Sequence, residues 1–134
     1  MKLPKGAHVA VADGGKLVMF RNSGDEGAPH LTEVPHDTVD THNKSGGQHH
    51  ISSDGNPGDN RQEEDAFVAG AAAILNKQVL EHKIKALVVI ADPKTLGELR
   101  KHYHKALSPV LLGEIHKDLT NHSTKDIEKS IAAH

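Results

Sequence analysis

Leu87-Val88-Val89-Ile90-Ala91 is an unbroken apolar run with three β-branched residues, and it passes directly into Asp92-Pro93-Lys94-Thr95-Leu96-Gly97-Glu98-Leu99-Arg100. A strand without polar alternation is covered on both faces. Asp92 offers a carboxylate to free amide donors. Pro93 occupies the first helical position, where its missing N–H costs nothing. A buried strand, a capped helix and a further strand make a right-handed crossover, so part of the sheet is parallel.

The residues before and after fill in the rest. His8 to Asp13 alternates as a strand, with Val9 and Val11 on one face. Asp13-Gly14-Gly15-Lys16 closes a hairpin, with glycine accepting positive φ. Leu17 to Arg21 returns, and a third short strand lies near Leu31 to Val34. A helix is expected from about Arg61 to His82, its apolar side built from Phe67, Val68, Ala71, Ile74, Leu75 and Val79. Gly70 to Ala73 are small and admit a close backbone. Glu63, Glu64 and Asp65 suit the positive end of the helix dipole. The helix opening at Pro93 is expected to carry Leu96, Leu99, Tyr103 and Leu107 on one stripe and Lys94, Glu98, Lys101 and Lys105 on the other. Val110 to His116 reads as the last strand. Ser123 and Asp126 have capping-box spacing for a final helix. The expected fold is a single α/β domain over residues 1–134, with a mixed sheet and flanking helices.

Residues 36–60 differ. Gly46, Gly47, Gly55, Pro57 and Gly58 lie among Asp, Asn, Ser and His, and the large apolar residues are Val39 and Ile51. The stretch has little apolar surface to bury, so it reads as a flexible loop.

The 134 residues suit one domain, with a core low in aromatics (Phe20, Phe67 and Tyr103). With no cysteine, disulfides and thiolate metal sites are excluded. No apolar run follows Lys2 and Lys5, so no signal peptide is expected, and no segment has the ~20 apolar residues of a membrane span. A cytoplasmic protein without membrane contact is expected. The formal net charge is −2, against the basic surplus of a dedicated nucleic-acid binder. Twelve histidines would reverse that sign on mild acidification.

The segment Asp92-Pro93-x-x-Leu96-Gly97-Glu98-Leu99-Arg100, followed by Lys117-Asp118-Leu119-Thr120, resembles the bacterial host attachment protein family. Val11-Ala12-Asp13-Gly14 and Asn60-Arg61-Gln62-Glu63-Glu64-x-x-Phe67 fit that family in the same order. Its fold is similar to the middle domain of archaeal and eukaryotic class I release factors, which implies an RNase H-like α/β sandwich. Under that resemblance, Gly46-Gly47-Gln48 has the topological position of the release-factor Gly-Gly-Gln tripeptide. The glycines would let the loop enter the peptidyl-transferase centre, and Gln48 would place a water against the peptidyl-tRNA ester. Gln48 has no useful pKa, so such catalysis works by positioning.

The expected site residues are therefore Gly46, Gly47 and Gln48 for chemistry, with Lys44, His49, His50, Lys94, Lys101 and Lys105 for nucleic-acid contact. The ribosome or tRNA is the expected partner. Several features oppose this. Residues 36–60 hold Lys44 alone against Asp37, Asp40, Asp54 and Asp59, and no codon-reading domain is expected. The alternative is a non-catalytic interaction or regulatory protein that affects surface attachment indirectly. His42, His49 and His50, or His102 and His104, could ligate a metal, but neither set has the one-face helical spacing of zinc enzymes. No metal and no cofactor is expected. Lys117 to Thr120 reads as a turn, with Asp118 and Thr120 capping nearby amides. Arg61 and Glu64 are spaced to pair across one helical turn, and Glu98 is spaced to pair with Lys94 or Lys101.

Overall fold

The computed structural model describes residues 1–41 and 58–134, with residues 58–60 described by their backbone. The elements are β1 (His8–Ala12), β2 (Leu17–Asn22), β3 (Leu31–Val34), α1 (Gly58–Leu80), β4 (Leu87–Ala91), α2 (Pro93–Arg100), β5 (Leu111–His116) and α3 (Thr124–Ala133). The strands form one mixed sheet in the order β3-β2-β1-β4-β5. β1 runs antiparallel to β2 and parallel to β4, and β5 is parallel to β4.

β4 is the expected central strand, and all five of its residues are buried. Its alternating side chains feed two cores. Leu87, Val89 and Ala91 pack with α1, α2 and the inward residues of β1 and β2. Val88 and Ile90 pack with Val9, Val11, Phe20, Leu119 and the Ile127 and Ile131 of α3. Helices therefore cover both faces of the sheet.

The caps follow the sequence. Asp92 accepts a hydrogen bond from the Thr95 amide at 3.1 Å, and Ser123 accepts one from the Asp126 amide at 3.1 Å. The hairpin between β1 and β2 is where it was expected, but neither Gly14 nor Gly15 adopts positive φ. The Asp13 carboxylate instead accepts from the Gly15 amide at 2.8 Å and fixes the turn.

Helix α1 begins at Gly58 and ends at Leu80, slightly earlier at both ends than expected. It terminates on His82, whose φ of 63° is the left-handed conformation that glycine normally supplies. Helix α2 departs from expectation more. It stops at Arg100, so Tyr103, Lys105 and Leu107 are not on it. Asn76 of α1 explains the stop. Its amide group donates to His102 O at 2.8 Å, and its oxygen accepts from the His104 amide at 2.9 Å. The chain is pinned to α1 in a non-helical course, and Leu107 still reaches the core. A short 3-10 turn at Ser108–Val110 delays the last strand to Leu111. Pairing with β4 then skips Leu112, an irregularity that leaves this leucine 44% exposed.

Asn22 is a polar plug that periodicity does not reveal. Its side chain is fully buried, yet all its hydrogen-bonding capacity is met. Nδ2 donates to Leu3 O and Pro4 O at 2.9 and 3.3 Å, and Oδ1 accepts from the Gly24 and His30 amides at 2.9 Å each. It ties the amino-terminal segment to the loop between β2 and β3.

Two outcomes follow for urea unfolding. Val89→Ala should lose about 1–3 kcal/mol, from transfer energy and a residual cavity, and Val89→Asp should not fold. Asn22→Leu should lose roughly 3 kcal/mol, because buried amides and carbonyls are left without partners. Unchanged midpoints would contradict the burial of β4 and the role of Asn22.

Candidate functional site

β1, β4 and β5 run parallel, so their carboxyl ends meet at one edge of the sheet. Each is followed by an aspartate: Asp13 after β1, Asp92 after β4 and Asp118 just beyond β5. In open α/β sheets the crevice outside these strand ends is the usual place for a site. Here it is a cleft of about 870 Å³, which also takes in Gly14, Glu63, Glu64, Phe67 and Glu98. The four separated segments that carried the family resemblance therefore converge on one cleft. Spacing along the chain gave no hint of that convergence.

The cleft is acidic, and its contacts are specific. Thr120 is buried, and its single hydroxyl proton is shared between Asp13 Oδ2 at 2.8 Å and Asp118 Oδ1 at 3.0 Å. Asp118 and Thr120 were expected to cap backbone amides. Instead they bond each other, and Thr120 closes the Lys117–Thr120 segment onto the β1 turn. Glu64 pairs with Lys94 of α2 at 3.1 Å, so the ion pair crosses between helices. The expected Arg61–Glu64 pair is replaced by this one.

Two of the lysines expected to contact nucleic acid, Lys94 and Lys101, have carboxylate partners. Lys94 is held by Glu64, and Lys101 is held by Glu98 at 3.1 Å. Burial pushes the Glu98 carboxyl upward, but hydrogen bonds from Lys101 and His102 and their charges outweigh it and hold it below the ordinary glutamate range. Arg100 is bound by Glu114 at 2.6 Å, an interaction that strengthens its hold on its proton. Glu114 also accepts from the Tyr103 hydroxyl at 3.3 Å. Burial raises the Tyr103 hydroxyl well above the ordinary tyrosine range, and the Glu114 charge and hydrogen bond add to this. Lys105 is exposed in the turn beyond α2.

Lys44, Gly46, Gly47, Gln48, His49 and His50 lie outside the described residues, as does His42. His102 and His104 do not face one ligand. His102 contacts Glu98 at 3.2 Å, and His104 Nδ1 accepts from the Ala106 amide at 2.9 Å. Among the described residues no group of three His, Cys, Asp or Glu side chains is placed to hold a metal ion. No described helix is long and apolar enough to cross a membrane.

Thr120→Val should cost about 1–2 kcal/mol in urea unfolding, because a methyl then faces two carboxylates in place of a donor. Thr120→Ser should restore most of the loss. Equal stability of Thr120→Val and the parent would mean that the hydroxyl does not tie β1 to the segment after β5.

One relative, the uncharacterized protein RP470 of Rickettsia prowazekii (strain Madrid E), is 37% identical over 51 residues, covering 38% of this chain. The match spans 34% of that protein's length. Residues 6–131 match the sequence profile of a release-factor-like family, a span that includes β1 through most of α3 and every residue described at the cleft. On that match, the chain belongs to bacterial archaeo-eukaryotic release factor family 12.

Proposed function

We propose that the chain is a release-factor-like domain that contacts the ribosome or tRNA and hydrolyses peptidyl-tRNA through Gly46-Gly47-Gln48. The observation that carries this reading is the family match across residues 6–131. The order of the chain supports it, since the tripeptide falls between β3 and α1. A mixed sheet covered by helices on both faces supports the RNase H-like form of the reading.

In this mechanism the glycines permit close approach to a crowded RNA centre. The Gln48 amide orients a water against the ester carbonyl, and the reaction gains from position and not from proton abstraction. Lys44, His49 and His50 meet phosphate. Lys94 and Lys101 contribute little charge, because each already has a carboxylate partner. The protein acts in the cytoplasm, where ribosomes work.

A second reading is a non-catalytic interaction or regulatory protein that influences surface attachment indirectly. The acidic cleft favours it, since Asp13, Glu63, Asp65, Asp92 and Asp118 repel phosphate.

Peptide release from ribosome-bound peptidyl-tRNA separates the two. The catalytic reading expects release by the wild type and at least about tenfold less from Gln48→Ala, with ribosome co-sedimentation little changed. Gly47→Val should be as damaging, with an unchanged unfolding midpoint. Wild-type protein that neither binds ribosomes nor releases peptide at low salt would overturn the catalytic reading and leave the second.

A further inference from the structure

We propose that His36 is a pH-responsive clasp, holding residues 35–41 against the sheet edge and α1 while its ring is an imidazolium. β3 ends at Val34, which pairs with Met19, and Pro35 has no N–H to continue the ladder. The next residue uses its side chain instead. His36 Nε2 lies 2.8 Å from Leu17 O, and Nδ1 lies 2.7 Å from Asp37 O.

Both partners are main-chain carbonyl oxygens. A carbonyl oxygen only accepts, so both contacts are hydrogen bonds only if both ring nitrogens carry protons. The short distances suit charge-assisted bonds. Loss of one proton turns one contact into two facing lone pairs, and the ring must then release a carbonyl.

The strap that His36 starts runs antiparallel to α1. Asp37 pairs with Lys77 at 3.6 Å, and Val39 packs on the core. Asp40 O comes so close to Gly70 that a Cβ there would lie 2.5 Å away. Thr41 then reaches the acidic cleft. The ion pair is exposed at both ends and contributes little alone.

His36 also lines a second cavity of about 440 Å³. The charged or titratable groups facing it there are Asp37 of the strap, Lys77 of α1, Glu81 and Lys83 beyond α1, and His8 of β1. Glu81 is paired with Lys83 at 3.4 Å. His8 works in the opposite sense. Burial first, and the Arg21 charge second, lower its pKa, so the fold favours neutral His8. Its contribution is complete above the ordinary histidine range and is lost as pH falls through it.

The chain has no cysteine, so Thr38→Cys carries a single spin label on an exposed strap position. The ratio of immobilised to mobile label should fall roughly tenfold from about pH 5.5 to pH 8, as expected for losing one charge-assisted hydrogen bond. In the wild-type background the fall should track the His36 ring nitrogens followed by NMR. His36→Gln should show the low ratio at both pH values, and His8→Gln should keep the shift. A ratio independent of pH, a fall that does not follow the His36 ring, or a shift that survives His36→Gln would overturn the clasp.

Discussion

The parallel pairing of β4 with β1 is the constraint on which the rest of this structure depends. β4 is hydrogen-bonded to a strand on each side and covered on both faces, so a one-residue shift of register would move every buried side chain to the wrong core. Its register sets Ala91 beside Ala12 and His116. Asp13, Asp92 and Asp118 therefore project from neighbouring strand ends. The cleft is a consequence of that alignment, and its shape is kept by ties that cross elements: Thr120 to Asp13, Lys94 to Glu64.

Those ties change what the motif residues mean. Read along the chain, Asp13 is a turn residue, Asp118 a cap and Lys94 part of a basic stripe. In the fold, the Asp13 carboxylate holds its own turn through Oδ1 and Thr120 through Oδ2. One side chain thus serves the hairpin and the cleft together. Substituting it would disturb both, so loss of activity in an Asp13 variant would not by itself identify a catalytic role.

The parts of the fold that were legible in the sequence are those set by local rules. The β4 run, the Asp92 and Ser123 caps and the apolar side of α1 need only neighbouring residues to be read. The end of α2 was not legible, because the stripe Leu96-Leu99-Tyr103-Leu107 has helical spacing and the residue that breaks it, Asn76, lies on another helix. A polar Asn beside Leu75 and Val79 was the one available signal. The double contact of His36 was hidden for the same reason: its acceptor, Leu17 O, belongs to a strand edge that exists only after β3 stops at Pro35. Asn22 ended an ordinary strand pattern and gave no sign of its four hydrogen bonds. For the candidate site, the sequence identified the segments but not their meeting point, and Gly46-Gly47-Gln48 lies outside the described residues.

The electrostatics set a condition on any contact with RNA. Exposed charges act over about 8 Å at physiological ionic strength. A phosphate approaching there meets several carboxylates, while Lys94, Arg100 and Lys101 already have acidic partners. To recruit these cations, RNA would have to break their ion pairs and expose the carboxylates beside them, which returns most of the gain. In the proposed function, productive contact then rests on few charges, those of Lys105 and of the chain around Lys44, His49 and His50. Salt dependence of binding scales with the number of phosphates neutralised. Under the proposed function, such a domain would bind RNA with a shallow salt slope, and shape and position would supply the specificity that charge does not.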